Sequence, residues 1–247
     1  MFLKLEYNYK LCNYFTIRIL RKLQQHLLLI KKKANILLKY FEKKDTDILH
    51  VTNGLGFLFK TEITLASDSK CTVKIISFEK AAASKFHLHL AVAPTKMNDR
   101  FEWFLEKATE IGVHEITPII CDHSERKVIN NERFDKILLA AMKQSNELYL
   151  PKLNDAITFK EFVKGNRKGL KLIAHCEETE KKTLKSIVKP NVDVTILIGP
   201  EGDFSEKEIT LALENEFVGV TLGITRLRTE TAAIVACHSV VFINEEE

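Results

Sequence analysis

The segment Thr195–Ala233 reads TILIGPEGDFSEKEITLALENEFVGVTLGITRLRTETAA and contains two successive junctions between a strand and a helix. An apolar, β-branched run from Val192 to Ile198 ends in Gly199-Pro200-Glu201-Gly202. This pattern predicts a buried strand that stops at a tight turn, whose glycines let the backbone lie close to another group. Ser205 stands three residues before Glu208, the spacing of a reciprocal cap at a helix N-terminus. A helix is therefore expected directly after the turn.

The second junction follows within the same segment. Val220-Thr221-Leu222 predicts a strand that ends at Gly223, and a polar loop then leads to Thr229, the predicted N-cap of a last helix through Phe242. Ligands of open α/β sheets bind outside the carboxyl ends of the strands. The two junctions together therefore predict a binding site.

The same alternation of strand and helix continues upstream. Strands are expected at 86–93, 113–120 and 170–176, with the strand at 192–198 completing the set. Helices are expected at 101–111, capped by Asn98 or Asp99 and ended by Gly112, and at 133–145. Strands that alternate with helices are typical of a parallel sheet covered by helices on both faces. The predicted fold class is therefore α/β.

A smaller domain is expected before this sheet. Strands at 48–52, 57–63 and 71–78, the first two joined by a glycine-containing turn, predict part of a small β-barrel, and 79–85 predicts a linker. Phe57 and Phe59 could stack on nucleic-acid bases, but paired aromatics of a hairpin more often pack in a core. Apolar residues recur at helical intervals between Ile17 and Ile30, and a second helix-like stretch runs from Ala34 to Phe41.

Composition limits the classes of function. The chain has 247 residues with 45% hydrophobic content, which is ordinary for a globular protein with one large domain or two modest ones. No apolar run approaches the ~20 residues that cross a bilayer. The net charge of +4 divides unevenly, because residues 1–44 carry +9 and the remainder −5. A basic N-terminal segment could attract phosphate, although a solvated lysine-rich face explains it equally well.

The spacing of the cysteines and the absence of phosphate-binding motifs exclude further classes of function. The five cysteines are Cys12, Cys71, Cys121, Cys176 and Cys237. They have neither C-x-x-C nor Cys/His ligand spacing, so we expect reduced core thiols in a cytosolic protein and no metal site. The chain has no G-x-G-x-x-G and no G-x-x-x-x-G-K-[S/T]. A dinucleotide fold and nucleoside triphosphate hydrolysis are therefore not expected.

Two strings in the opening segment match a known family in order and spacing. Ile198-Gly199-Pro200-Glu201-Gly202, followed by Leu222-Gly223, Leu227-Arg228 and Glu230-Thr231-Ala232, resembles the RsmE family. Its members are 16S ribosomal RNA uridine-N3 methyltransferases of the SPOUT superfamily. The resemblance implies a SPOUT-type parallel sheet with a C-terminal trefoil knot over 86–247, preceded by a small PUA-like or OB-like β-barrel domain over 1–80. It also implies a cytoplasmic homodimer that acts on 16S ribosomal RNA within the small ribosomal subunit, with S-adenosyl-L-methionine as cofactor.

The resemblance also assigns roles to individual residues. Arg228 is expected to be catalytic, because a fixed guanidinium beside the uridine carbonyl oxygens favours loss of the N3 proton; the alternative is an arginine that pairs with Glu201 or Glu230. Arg126, Arg133 and Gln144 are expected to contact RNA, and salt bridges on a loop are the alternative for the arginines. The expected cofactor-binding residues are His175, Gly199, Pro200, Glu201, Gly202, Leu222, Gly223, Leu227, Thr231 and Ala232.

Two other functions are compatible with the sequence. One is an RNA-binding ribosome-assembly factor without transfer activity, against which the two intact strings argue. The other is a SPOUT methyltransferase that modifies a different nucleotide, because loop residues rather than the fold select the substrate.

Overall fold

The computed structural model describes residues 14–16, 26–29, 46–67, 70–177 and 180–245. The chain folds into two compact units. The first unit is Met1–Ala83 with Met142–Tyr149, and the second is Ser84–Ala141 with Leu150–Glu247. None of the helices in the described ranges is long and apolar enough to cross a membrane.

The first unit contains a five-stranded sheet within the described residues. Its strands are β1 (Tyr14–Thr16), β2 (His26–Leu29), β3 (Ile48–Thr52), β4 (Phe57–Ser67) and β5 (Lys70–Lys80), in the spatial order β1-β3-β4-β5-β2. β1 pairs with β3 in parallel, and the other pairs are antiparallel. The predicted hairpin and third strand are confirmed. Phe59 packs in the core with 5% exposure, whereas Phe57 is half-buried beside it, with ring centroids 6.0 Å apart.

The second unit is built on a parallel sheet. The strands described there are β6 (Leu88–Val92), β7 (Glu115–Ile120), β8 (Lys152–Leu153), β9 (Ile157–Thr158), β10 (Leu170–Ala174), β11 (Lys182–Thr183), β12 (Val194–Ile198) and β13 (Val218–Thr221). Their spatial order is β11-β13-β10-β12-β6-β7-β8, and β9 also pairs with β7. Every pairing is parallel. The α/β prediction is confirmed at this level.

Helices cover both faces of the parallel sheet. They are α1 (Asn98–Ile111), α2 (Asn131–Gln144), α3 (Phe159–Lys164), α4 (Leu184–Ile187), α5 (Glu206–Glu214) and α6 (Thr229–Asn244). Ile196 on β12 lies in one core cluster with Phe104 of α1 and Ala236 of α6. Its neighbour Leu197 points to the opposite face, in a second cluster with Phe162 of α3. The central strands are rich in apolar residues because both faces of the sheet are buried.

The helix ends agree only in part with the predictions from sequence. Ser205 and Glu208 form the predicted capping box of α5, with Glu208 N donating to Ser205 Oγ at 3.3 Å and Ser205 N donating to Glu208 Oε2 at 2.9 Å. The predicted caps of two other helices were wrong. α1 is capped by Met97 rather than Asn98 or Asp99, and α6 by Arg228 rather than Thr229.

The helical pattern near the N-terminus was also misread in part. Residues 26–29 form strand β2, which pairs with β5, so the apolar spacing between Ile17 and Ile30 is not that of one helix. The helix-like stretch Ala34–Phe41 lies outside the described residues. The short elements β8, β9, α3, β11 and α4 were missed, because two to six residues carry too little periodicity to recognise.

Candidate functional site

The candidate site lies where three adjacent strands of the parallel sheet end. Ala174 of β10 is in register with Ile198 of β12 on one side and with Val220 of β13 on the other. Because the strands are parallel, the chain segments that leave these positions emerge at the same edge. The two junctions found in the sequence are therefore brought together there.

Two neighbouring cavities occupy this edge. Cavity A has a volume of about 240 Å³ and is lined by Ala174, His175, Cys176, Lys181, Val220, Thr221, Leu222, Gly223, Ile224, Thr225, Arg226, Leu227 and Ala232. Cavity B has a volume of about 270 Å³ and is lined by Ala174, Cys176, Ile198, Gly199, Pro200, Glu201, Asp203, Arg226, Leu227, Arg228, Thr229 and Ala232. Five residues line both, so the two cavities share a wall. Each cavity is slightly below the usual ~300 Å³ lower limit for small-ligand sites, and a ligand that spans both is accommodated best.

Two glycines shape cavity A. Gly223 has φ 156°, and a Cβ built on it would meet no atom within 4 Å, so the backbone borders open space. At Gly219 a Cβ would lie 3.0 Å from His175 Nε2, so the missing side chain lets the imidazole pack against β13. Substituting Gly223 would fill ligand space, whereas substituting Gly219 would displace the histidine.

His175 presents an unsatisfied nitrogen at the wall of cavity A. The residue is only 7% exposed, and its buried Nδ1 has no hydrogen-bond partner among the described residues. Burial lowers the pKa of His175, and nearby Lys181 lowers it further, so the imidazole is neutral at physiological pH. Buried polar atoms in folded proteins nearly always have a partner. A ligand or a water molecule in cavity A would supply the missing partner.

Arg228 stands at the opposite end of the site, in the wall of cavity B. Its side chain is exposed, and its guanidinium has no hydrogen bond or ion pair within the part of the chain that the structure describes. Neither expected carboxylate pairs with it: Glu201 Oε1 accepts from Lys96 N at 2.9 Å, and Glu230 Oε1 lies 3.9 Å from Arg100 Nε. The guanidinium is thus available to a ligand, and a positive charge placed there stabilises an anion.

The backbone next to Arg228 is held firmly. Thr229 Oγ1 donates to the buried carbonyl oxygen of Gly199 at 3.0 Å, which ties the first residue of α6 to the turn after β12. Arg226 Nη2 also approaches the carbonyl oxygen of Glu201, at 3.4 Å. The loop that carries Arg228 is therefore fixed to the other side of cavity B.

Comparison with known proteins identifies the family to which this architecture belongs. Residues 82–241 match the model of the RNA methyltransferase domain. The ribosomal RNA small subunit methyltransferase E of Buchnera aphidicola subsp. Acyrthosiphon pisum is 31% identical over 224 residues, which cover 87% of this chain and 87% of that protein. The chain belongs to the ribosomal RNA small subunit methyltransferase E family. The enzyme of the same name from Rickettsia conorii is 33% identical over 200 residues, 80% of this chain and 81% of that protein.

Structural comparison agrees with this family. The crystal structure of ribosomal RNA small subunit methyltransferase E from Neisseria gonorrhoeae bound to S-adenosyl methionine superposes with a TM-score of 0.81 at 25% identity. The match covers 94% of this chain and 98% of that one. Both units of the chain are therefore included in the likeness.

Most of the residues that the family resemblance assigned to the cofactor lie in the two cavities. His175, Leu222 and Gly223 line cavity A, whereas Gly199, Pro200 and Glu201 line cavity B, and Leu227 and Ala232 line both. Gly202 and Thr231 line neither. A Cβ on Gly202 would lie 3.2 Å from His123 Cβ, so this glycine serves the packing of the turn against the loop after β7.

Both arginines predicted to contact RNA are engaged by partners within the second unit. Arg126 donates from Nε to the carbonyl oxygen of Thr95 at 3.3 Å and from Nη2 to that of Lys96 at 2.9 Å. Arg133 forms a two-point ion pair with Glu102: its Nε lies 2.6 Å from Oε1, and its Nη2 donates to Oε2 at 2.8 Å. This pairing raises the pKa of Arg133. Gln144 ends α2 and belongs to the first unit. RNA contact by these three residues stays a prediction.

Several lining residues were missed from the sequence, among them Cys176, Lys181, Asp203 and Thr221. Lys181 Nζ donates to the carbonyl oxygens of His175, at 3.1 Å, and Glu177, at 2.6 Å, which fixes the chain after β10. No sequence signal marks such a lysine, because its partners are main-chain atoms. Among the described residues, no cluster of three or more His, Cys, Asp or Glu side chains is placed to hold a metal ion.

Proposed function

We propose that the protein transfers a methyl group from S-adenosyl-L-methionine to N3 of a uridine in the 16S ribosomal RNA of the small subunit. The family supports the reaction class, since its members carry the name of ribosomal RNA small subunit methyltransferase. The strongest support is the position of Arg228, whose unpaired guanidinium lies at the wall of cavity B. Cavity A, with the unpaired Nδ1 of His175, lies next to it.

The residues present fit the cofactor. His175 Nδ1 and the open space at Gly223 offer a polar contact and close backbone approach in cavity A, and the backbone of Gly199–Glu201 lines cavity B. The related crystal structure from Neisseria gonorrhoeae, whose likeness covers both cavities' segments, contains S-adenosyl methionine. The cofactor supplies a methyl group that is activated by a positively charged sulfur. The chain itself holds that group still and excludes water from one side.

Arg228 would act on the acceptor base. Uridine N3 carries a proton, and its loss spreads negative charge onto the two flanking carbonyl oxygens. A guanidinium beside these oxygens would favour the deprotonated base through its positive charge, and the bond from Thr229 Oγ1 to the Gly199 carbonyl oxygen fixes the main chain from which Arg228 extends. Correct placement of the base and the methyl donor would supply much of the remaining acceleration.

A rate measurement tests this role. Transfer of isotopically labelled methyl from S-adenosyl-L-methionine to unmethylated small subunits is measured for the parent, Arg228→Ala and Arg228→Lys. Loss of one preorganised donor typically lowers kcat by about 10²–10³. We expect a loss of this size for Arg228→Ala, and partial activity for lysine, which keeps the charge but not the planar fork. Equal rates for parent and Arg228→Ala would contradict the assignment.

The matched control variant removes a positively charged side chain that lines neither cavity. Lys136 lies on α2 and pairs with Glu132 at 2.7 Å on an exposed face. Lys136→Ala is expected to keep the parent's rate. If both variants lose activity equally, general loss of positive charge rather than the position of Arg228 determines the rate.

Several finer features of the fold are part of the same proposal. We infer that the second unit is a SPOUT domain with a C-terminal trefoil knot, that the first unit is a PUA-like domain that helps to hold ribosomal RNA, and that the protein acts in the cytoplasm as a homodimer. The family resemblance supports these features. Sedimentation analysis of the purified protein tests the homodimer, for which twice the mass of 28.3 kDa is expected.

The two other functions considered from the sequence give distinct outcomes. An RNA-binding assembly factor would bind small-subunit RNA without any labelled methyl appearing in it. A methyltransferase for another nucleotide would also label the RNA, but the labelled nucleoside would not be a uridine.

A further inference from the structure

Asp203 connects three chain segments at the edge of the sheet. Its Oδ2 accepts the N–H of Cys176, directly after β10, at 2.7 Å, and its Oδ1 accepts the N–H of Phe204 at 2.8 Å. Its own N–H donates to the carbonyl oxygen of Pro200 at 2.9 Å, which closes the turn after β12. Its carbonyl oxygen lies 3.0 Å from Nδ1 of His123, in the loop after β7.

The bond to Cys176 crosses the site. Cys176 lines both cavities, and Asp203 lines cavity B. The distance between the end of β10 and the turn after β12 sets the width of cavity B, and the bond from Asp203 Oδ2 to Cys176 N bridges these two segments. A hydrogen bond to an ionised carboxylate is about twice as strong as a neutral one, so this bridge resists separation of the walls.

The carboxylate of Asp203 reaches beyond its own turn, because its Oδ2 accepts the N–H of Cys176 after β10. Asp203 has φ 64°, a left-handed conformation that glycine adopts without steric cost and that aspartate adopts less readily. Phe204 already anchors the turn, since its buried ring lies 3.1 Å from the position of a Cβ on Gly199. A glycine at 203 would therefore satisfy the turn, and the side chain contributes the bridge.

We propose that Asp203 is a positioning residue, which fixes the two cofactor-binding segments at the separation that S-adenosyl-L-methionine requires. This inference rests on the proposed function. Asp203 acts through the backbone of Cys176 and not by contact with the reacting atoms. Both oxygens are occupied by main-chain N–H groups in the structure, which is the arrangement of a brace rather than of a proton acceptor.

The test is Asp203→Gly, which keeps the left-handed turn and removes only the carboxylate. We expect the dissociation constant for S-adenosyl-L-methionine, measured by calorimetry on the full chain, to rise about 10- to 100-fold, because loss of a hydrogen bond to a charged group has effects of this size. Asp203→Asn keeps one acceptor oxygen and should recover part of the affinity. Amide exchange at Cys176 should be faster in Asp203→Gly than in the parent.

Glu216 provides a matched control. It is also an acidic residue in the left-handed region, with φ 66°, and it pairs with Lys171 at 2.7 Å on the surface. Glu216→Gly makes the same chemical change and should keep the parent's affinity. If Asp203→Gly binds the cofactor as tightly as the parent, the positioning role is refuted while the proposed function stands. If the parent itself does not bind, the proposed function fails, and the positioning role fails with it.

Discussion

The hydrogen bond between Thr229 and Gly199 is the contact that joins the last helix to the turn after β12, and its removal should affect stability and ligand binding together. Thr229 is 5% exposed, and its Oγ1 donates to the Gly199 carbonyl oxygen at 3.0 Å. Thr229→Val keeps the branched shape and leaves that carbonyl buried without this donor. An unsatisfied buried acceptor costs about 1–3 kcal/mol, and for a chain of this size each kcal/mol lowers Tm by about 2–4 °C.

Urea denaturation measures this loss, and calorimetry measures the affinity for S-adenosyl-L-methionine of the same variant. We expect a decrease of about 1–3 kcal/mol in the free energy of unfolding and weaker cofactor binding, because cavity B loses the link between its two sides.

Thr109→Val is the matched control. Thr109 is 1% exposed and donates to the Leu105 carbonyl oxygen at 2.7 Å, within α1 and away from the cavities. The Leu105 carbonyl oxygen keeps its helical N–H donor in this variant, so Thr109→Val makes the same change of side chain and should leave the affinity for the cofactor unchanged. If Thr229→Val loses no more affinity than Thr109→Val, the link is not part of the site and the reasoning is wrong.

Three other perturbations test separate parts of the account. Gly223→Val should abolish cofactor binding measured by calorimetry, because the valine side chain would enter the open space of cavity A. An unchanged affinity would show that the cofactor does not bind in cavity A. Arg126→Ala should lower the methylation rate and reduce the slope of the salt dependence of RNA binding by about 1, as expected for one lost phosphate contact; an unchanged slope would show that Arg126 only holds the carbonyl oxygens of Thr95 and Lys96. Acidification from pH 7 to pH 5 should cost about 2 kcal/mol of stability through His89, whose pKa is lowered to about 4.

The sign of the last effect follows from the pKa of His89 in the two states. Burial lowers the pKa in the folded protein, whereas the unfolded chain titrates near the ordinary value of 6.5. Between these values the unfolded state binds more protons, so stability falls as the pH falls through this window. His89→Gln should remove this share of the pH dependence in urea titrations. An identical pH dependence in the variant would show that other groups cause it.

The parts of the fold that could be predicted from sequence are those with long, regular patterns. β12 is β-branched or apolar at every position, and the Ser205 and Glu208 spacing identifies the start of α5, because both signals are local. The helix caps at Met97 and Arg228 could not be predicted in this way. Neither side chain makes a capping bond, so each helix start is set by the neighbouring packing.

The residues of the candidate site were likewise predicted only in part from the sequence. The family strings pointed to Gly199, Gly223 and Arg228, which line the two cavities, because those positions are marked by residue type. They could not show that Arg126 and Glu201 are engaged with the loop at Thr95 and Lys96, since these bonds join segments about 30 and 105 residues apart in the chain. Asp203 was missed for the same reason, because its partner Cys176 is 27 residues away.

The central claim is that methyl is placed on uridine N3 of 16S ribosomal RNA. The most direct measurement is nucleoside analysis by mass spectrometry of small-subunit RNA that has been incubated with the protein and S-adenosyl-L-methionine, with authentic N3-methyluridine as the standard. We expect one new peak that coelutes with N3-methyluridine and that Arg228→Ala greatly reduces. A methylated nucleoside of any other identity, or no methylated nucleoside with a protein that binds the cofactor, would contradict it.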